Sequence, residues 1–98
     1  MKVEYAKRAL SDVESIAKYY ASTDDPNVGE RIAARLREVV ARLARLPESG
    51  RPVAERPGVR VAPLLRYPYN IYYSHAVGAD SIRILHIRHS SRRPWPRD

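Results

Sequence analysis

Apolar residues recur at spacings of three and four near the amino terminus. Leu10, Val13, Ile16, Ala17 and Tyr20 fall on one face of a helix with 3.6 residues per turn. This pattern predicts a first helix over about residues 8–22. Before it, the alternating residues 2–5, KVEY, predict a short strand.

A second helix is marked at both ends. Asp25 suits the N-cap, Pro26 suits the first helical position, and Pro47 prevents the helix from continuing beyond Leu46. The predicted helix is therefore close to twenty residues long. Its apolar stripe consists of Ile32, Leu36, Val39, Val40, Leu43 and Leu46. Because the connection between the two helices is short and polar, we expect an antiparallel helix hairpin.

The second half of the chain has the composition of a loop followed by strands. Residues 47–58, PESGRPVAERPG, contain three prolines and two glycines and predict a loop. Three runs rich in β-branched residues and tyrosine follow, VRVAPLL (59–65), YPYNIYYSH (67–75) and SIRILHIRH (81–89). Short connections between them predict an antiparallel meander. Pro63 predicts that the first run is an edge strand or ends at that residue.

The last of these runs has apolar residues on both faces. Ile82 and Ile84 alternate onto one face, and Leu85 and Ile87 onto the other, so a central position in the sheet is expected. Strict alternation would place His86 with Ile84. We predict a single α+β domain over residues 1–98, with an N-terminal strand and an antiparallel two-helix hairpin. The hairpin packs on an antiparallel sheet with a three-stranded meander, and a basic tail follows.

Net charge divides the chain into two unequal halves. The total is +7; residues 1–50 hold nine Lys and Arg against eight Asp and Glu, whereas residues 51–98 hold nine against three. The second half therefore carries +6 of the charge. Such a surface attracts nucleic acid or an acidic protein partner. An arginine-rich, solvated surface is the alternative.

Several kinds of site are excluded or weakened by composition. The chain has no cysteine, and its three histidines and scattered carboxylates lack metal-ligand spacing. We therefore predict no disulfide, no metal and no cofactor. The amino terminus is charged throughout and resembles neither a signal peptide nor a membrane span, so the cytoplasm is the expected location.

The candidate chemistry lies in arginines, tyrosines and two late histidines. The arginines, which could converge at one end of the sheet, are Arg60, Arg66, Arg83, Arg88, Arg92 and Arg93. Arginine binds phosphate or carboxylate but stays protonated, so a metal-free nuclease would need His86 or His89 for proton transfer. Tyr67, Tyr69, Tyr72 and Tyr73 suit packing in a sheet, and alternatively stacking on bases. The histidines could equally be packed side chains.

Four segments together resemble the RelE/ParE superfamily of bacterial toxins from toxin-antitoxin operons. They are ALSDVESIAKYY, ARLARLPESGRP, YPYNIYY and ILHIRHSSRRPW, and the likeness extends over nearly the whole chain. The resemblance implies a small antitoxin whose acidic and apolar segment wraps the toxin. It implies one of two targets, namely DNA gyrase for the ParE-like branch and messenger RNA in the ribosomal A site for the RelE-like branch.

Departures from the RelE-like pattern favour the ParE-like branch. That pattern has a lysine and arginine cluster with a tyrosine or histidine near the end, but here lysine is absent after Lys18 and the terminal aromatic residue is Trp95. If the chain is a ribonuclease, His89 and Arg88 are the catalytic candidates. A basic nucleic-acid-binding module without enzymatic activity is the third reading.

Two sets of contact residues follow from these readings. For the target we predict contacts by Arg66, Arg83, Arg88, His89, Arg92, Arg93 and Trp95. For the antitoxin we predict the flank of the second helix and the first strand of the meander, with Arg31, Arg35, Arg42, Val59, Val61, Leu64 and Leu65. An acidic amphipathic ligand that folds as it binds would suit that surface.

Overall fold

The computed structural model describes residues 1–23, 25–76, 78–92 and 95. In these residues the chain forms helices α1 (Lys7–Ala21) and α2 (Asn27–Arg45). The strands are β1 (Lys2–Tyr5), β2 (Arg51–Pro52), β3 (Val59–Pro63), β4 (Tyr69–Ser74) and β5 (Ser81–His89). They form one sheet in the order β1-β5-β4-β3-β2. The predicted helix pair on a sheet with a three-stranded meander is confirmed. Within the described part of the chain, no helix is both long and apolar enough to cross a bilayer.

The sheet is mixed, which corrects the prediction of an antiparallel sheet. β1 runs parallel to β5, with Val3 beside Ile82 and Tyr5 beside Ile84. The chain leaves β1 through the two helices and the meander and returns along the same direction, as a crossover between parallel strands requires. β5 therefore lies between β1 and β4, and its predicted central position is confirmed.

The long loop predicted over residues 47–58 contains a short strand. In β2, Arg51 pairs with Val61 and Pro52 pairs with Arg60. Two prolines and a glycine nearby obscured this pairing, but proline is tolerated on an edge strand, where its nitrogen needs no partner. β3 ends at Pro63, as predicted, and is not the edge, because β2 covers part of it.

A β-bulge changes which side chains of β5 face the helices. Tyr72 is opposite His86 and Tyr73 is opposite Ile84, so Leu85 has no partner in β4 and is the extra residue of the bulge. After this register shift Ile87 joins Ile82 and Ile84 in the core. The prediction that His86 shares their face is therefore wrong, because strict alternation does not hold across a bulge.

Both helices begin and end within one residue of the predicted limits. Pro26 has helical dihedral angles, and Asp25 Oδ1 accepts the Asn27 N–H at 3.0 Å, as expected of a cap. In α1 the buried stripe begins at Ala9 and continues through Val13, Ile16 and Tyr20. Leu10, which the spacing placed on that stripe, is 55% exposed because it lies one position, about 100°, away from Ala9.

Tyr73 fixes the connection between α2 and β2. Its buried ring lies beneath residues 47–50, where its hydroxyl donates to the Pro47 carbonyl at 2.8 Å and accepts the Gly50 N–H at 2.9 Å. A Cβ on Gly50 would lie 2.7 Å from Tyr73 Cε1, so only glycine fits. Burial raises the pKa of the Tyr73 phenol, although the Gly50 hydrogen bond partly opposes that effect. This contact anchors the start of the segment that leads to Arg56.

We expect Tyr73→Phe to lower the free energy of unfolding by about 1 to 3 kcal/mol, because a buried N–H and a carbonyl lose their partner. Tyr19→Phe is the control, since Tyr19 is exposed and its removal should change stability little. Urea unfolding of both variants measures the difference. Equal stabilities would show that the Pro47–Gly50 turn is held by other contacts.

Candidate functional site

The carboxyl-terminal end of β5 is held by a side chain from α1. β1 stops at Tyr5 beside Ile84, so among the described residues β5 has no strand partner on that side beyond this point. Asp12 takes the vacant position: its Oδ2 accepts the Ile87 N–H at 2.9 Å and the His86 Nδ1–H at 2.6 Å. The Asp12 side chain is only 17% exposed, so both hydrogen bonds are largely shielded from solvent. It ties the first helix to the central strand.

His86 has both ring nitrogens engaged. Its Nδ1 donates to Asp12, and its Nε2 accepts from Arg88 Nη1 at 3.3 Å. The His86 and Arg88 residues are only 2% and 4% exposed. The interpretation of His86 as a packed residue is confirmed, and its position leaves no nitrogen free to meet a substrate.

A basic cleft opens beside this network. It has a volume of about 230 Å³ and is lined by Arg8, Asp12, Ser15, Ile16, Tyr69, His86, Ile87, Arg88, His89 and Arg92. Three arginines therefore face one carboxylate, and that carboxylate is already bound to β5. Arg8 lies 3.8 Å from Asp12 and is otherwise exposed. The cleft has the charge and donor set to bind a phosphate or carboxylate group.

His89 and Tyr69 stand side by side in the basic cleft. Their rings pack edge to face, with centroids 5.4 Å apart. His89 Nδ1 accepts the Ser91 N–H at 3.1 Å and lies 2.7 Å from the Ser91 hydroxyl, so in the neutral ring the proton is on Nε2. Burial and the nearby Tyr20 hydroxyl raise the pKa of Tyr69 well above its ordinary value. Tyr69 is therefore an uncharged hydrogen-bonding group at neutral pH and a poor source of protons.

The opposite face of β4 and β5 carries an aromatic cluster. Because Ile71 and Tyr73 point into the core, Tyr72 between them points away from the helices, beside His86. Trp95 packs on both rings, with centroid distances of 5.4 Å to Tyr72 and 5.5 Å to His86. The guanidinium of Arg56 lies 3.6 Å from the centre of the indole. We call this surface the outer face.

The residues predicted to contact the target occupy separate places. Arg88, His89 and Arg92 meet in the basic cleft, and Trp95 lies on the outer face. Arg66 lies in the turn between β3 and β4, and Arg83 is exposed in the middle of β5, beside Glu4 and Ser74. Arg93 lies outside the described residues. The predicted set is thus brought together only in part.

The residues predicted to contact the antitoxin also differ in accessibility. Val61 and Leu64 are buried, Val59, Arg35 and Arg42 are half-buried, and Arg31 and Leu65 are exposed. Arg35 Nε donates to the Leu64 carbonyl at 3.0 Å, and Arg31 pairs with Asp25. A partner could therefore reach Leu65 and Arg31 directly, whereas Leu64 supports the turn from below.

Sequence reasoning did not identify Asp12, Arg8 or Arg56 as parts of a site. A signal for Asp12 was present, because it lies three residues after Ala9 and four before Ile16 and so falls on the buried stripe of α1. A carboxylate in that position needs a partner. Arg56, in a loop rich in proline, left no comparable signal.

Comparisons with known proteins agree on one family. The family model described as "ParE toxin of type II toxin-antitoxin system, parDE" matches residues 3–94. The protein named "Putative toxin Y4kP" of Sinorhizobium fredii (strain NBRC 101917 / NGR234) is 30% identical over 95 residues, which covers 97% of this chain and 93% of that protein.

Solved structures show the same fold. A chain of the chromosomal ParDE toxin-antitoxin system from P. aeruginosa superposes with a TM-score of 0.76 at 26% identity, over 91% of this chain and 95% of that one. The isolated E. coli RelE toxin gives a TM-score of 0.60 at 15% identity, over 94% and 86% of the two chains. The second likeness concerns the fold alone.

We expect Asp12→Ala to lower the free energy of unfolding by about 1.5 to 3 kcal/mol, because His86 and the Ile87 N–H lose a charged acceptor. The matched control is Glu14→Ala, which removes an exposed pair with Lys18 and should change stability by less than about 0.5 kcal/mol. Thermal unfolding followed by circular dichroism measures both. Similar values for the two variants would contradict the role given to Asp12.

Proposed function

The chain belongs to the ParE toxin family of type II toxin-antitoxin systems, and from this premise we propose that it arrests growth by binding and poisoning DNA gyrase. Membership in this family supports gyrase as the target, because that is the target that the resemblance to the ParE-like branch implies. The mode of action, binding without chemistry, is supported by the state of the histidines at the end of β5. Both ring nitrogens of His86 are engaged and its ring is buried, so it serves the fold. We place this action in the cytoplasm, where gyrase is found.

Cleavage of RNA without a metal requires one group to accept a proton and a second to donate one. In the basic cleft the arginines cannot exchange protons, and the pKa of Tyr69 is raised, away from neutrality. His89 remains the exposed titratable group there, and its Nδ1 already accepts from Ser91. This arrangement favours a surface that binds an anionic group by charge and shape, without a cofactor.

We further propose that a small acidic antitoxin neutralises the chain by covering the turn of residues 64–68, together with the adjoining side of α2. Leu65 at the tip is 68% exposed and has φ +69°, a left-handed conformation that is strained for leucine. Two hydrogen bonds to the preceding residue hold Leu65 in this conformation. Arg35 donates to the Leu64 carbonyl, and the Leu64 N–H donates to the Tyr69 carbonyl. Such a rigid, exposed leucine is suited to contact with a partner.

The surroundings of Leu65 match the expected chemistry of the antitoxin. A groove of about 250 Å³ beside the turn is lined by Arg31, Ala34, Arg35, Glu38, Arg66 and Tyr67. Three arginines therefore line a groove next to the turn, where Arg35 pairs with Glu38 and Arg31 pairs with Asp25. An amphipathic segment with acidic side chains would bury Leu65 and pair with the arginines of this groove.

The antitoxin surface can be tested with Leu65→Gly. Glycine adopts φ +69° without strain, so folding should be retained, while the lost apolar contact should weaken antitoxin binding by about 1.5 to 3 kcal/mol, or roughly 10- to 100-fold. Leu46→Ala, at an equally apolar but distant exposed position, is the control. Calorimetric titration measures both affinities. Retained affinity in Leu65→Gly, or amides of residues 64–68 that gain no exchange protection on antitoxin binding, would reject this placement.

The target and the mode of action can be tested together. The purified chain should inhibit supercoiling by gyrase and leave messenger RNA on programmed ribosomes intact. His89→Gln should keep most of the toxicity, because glutamine forms hydrogen bonds but does not titrate near neutrality. Removal of Arg92 and Arg93 should weaken target binding by roughly a hundredfold or more, given roughly 1.5 to 3 kcal/mol for each charge-assisted contact.

Three outcomes would point elsewhere. Ribosome-dependent cleavage that is lost in a folded His89→Gln protein would identify a metal-free endoribonuclease. Binding of nucleic acid with neither effect would identify a binding module. Normal growth of cells that express the chain without an antitoxin would exclude both toxic mechanisms.

A further inference from the structure

The outer face is covered by a side chain from the carboxyl-terminal tail. Tyr72 and His86 form its floor, and the indole of Trp95 meets both rings nearly edge on, at interplanar angles of 72° and 81°. Edge-to-face contacts at these distances are the favourable arrangement for aromatic rings. The sheet face that the helices leave open is therefore closed here by the chain itself.

Arg56 holds the indole from the other side. Its guanidinium carbon is 3.6 Å from the ring centre, a cation–π contact at stacking distance. Its Nε is shielded from solvent and has no hydrogen-bond partner among the described residues, so stacking is the contact that accounts for this position. The backbone of its turn is fixed, because the Arg56 N–H donates to Val53 and the Arg56 carbonyl accepts from Val59.

Trp95 lies three residues after Arg92, which lines the basic cleft. At the near end, the Arg92 N–H donates to the His89 carbonyl at 3.1 Å. At the far end, Trp95 rests on His86, whose Nε2 accepts from Arg88 in the wall of the same cleft. The tail is thus attached to the fold at Arg92 and again at Trp95.

We propose that Arg56 and Trp95 form a clasp that holds the tail on the outer face and so positions Arg92 for target binding. In this proposal both residues act by positioning the tail. Trp95 therefore does not contact the target directly, as was predicted from sequence, but acts through the clasp. This inference rests on the proposed function of the basic cleft. A tail that must be ordered at each encounter would bind more weakly, by roughly five- to thirtyfold for each residue that is fixed.

The first test uses Trp95 as its own probe, because the chain has a single tryptophan. Arg56→Gln should shift the fluorescence emission to longer wavelength and increase quenching by acrylamide, since loss of the stacked cation should raise the undocked population by roughly tenfold. Arg56→Lys, which keeps the charge but loses the planar stack, should give an intermediate result. Arg51→Gln, in β2 close by, is the charge-matched control and should leave the emission unchanged. Unchanged emission in Arg56→Gln would overturn the clasp.

The second test asks whether the clasp positions the tail. We measure the expression level that halves the growth rate, which does not depend on the identity of the target, and we measure gyrase inhibition in parallel. Arg56→Gln should reduce potency by about tenfold, while antitoxin affinity and the melting temperature stay close to those of the parent protein. A shift in emission with full potency would show that the clasp does not position the tail.

A double-variant comparison separates the clasp from a direct contact. If Trp95 acts through the clasp, Trp95→Ala and Arg56→Gln should each lower potency to a similar extent, and the combined variant should lose little more. If Trp95 touches the target, Trp95→Ala should lose far more than Arg56→Gln, which would overturn the positioning role. Loss of toxicity in Arg56→Gln, combined with no gyrase inhibition by the parent chain, would support the clasp and reject gyrase as the target.

Discussion

The arrangement of the site depends on one carboxylate at the point where the sheet loses a strand. β1 ends beside Ile84, but β5 continues for five residues, and its next free N–H on that side would be buried beneath α1. Asp12 satisfies that N–H and the adjacent His86 ring with a single oxygen. Because buried donors are costly to leave unpaired, these hydrogen bonds hold α1 against the end of β5. The basic cleft is the space between them.

The bulge at Leu85 determines which side chains enter that space. Without the extra residue, alternation would carry His86 into the core and turn Ile87 outward. With it, Ile87 fills the core, His89 faces the cleft, and His86 lies under Trp95. One inserted residue thereby divides the last strand between two surfaces. The cleft is lined by charged side chains, while the outer face is closed by aromatic packing, and the His86–Arg88 bond connects the two.

The parts of this structure that follow local rules could be predicted from sequence. Helical spacing and the Asp25–Pro26 start located both helices. The long apolar run of residues 81–89 correctly predicted a strand with neighbours on both sides, although the assumed split of its apolar residues between two faces was wrong for Ile87. The bulge could not be predicted, because it arises from the register between two strands. Neither could the parallel pairing of β1, which depends on a partner almost eighty residues away. Of the residues that line the cleft, only those in and next to β5 were predicted from sequence, because the others come from α1.

The basic excess of the second half is not a uniform binding surface. Arg60 donates to the Glu48 and Gly50 carbonyls, Arg88 donates to His86, and Arg56 stacks on Trp95. These arginines stabilise the fold itself, by donating hydrogen bonds or by stacking on an aromatic ring. Arg60 donates to backbone carbonyls in a segment where proline and turns leave them without strand partners. A charge count therefore overstates what a partner meets. Among the described residues, the exposed cations at the two candidate surfaces include Arg8 and Arg92 at the rim of the basic cleft and Arg66 next to Leu65. Target and antitoxin would accordingly be recognised by different small groups of arginines, each held by a structural contact beneath it.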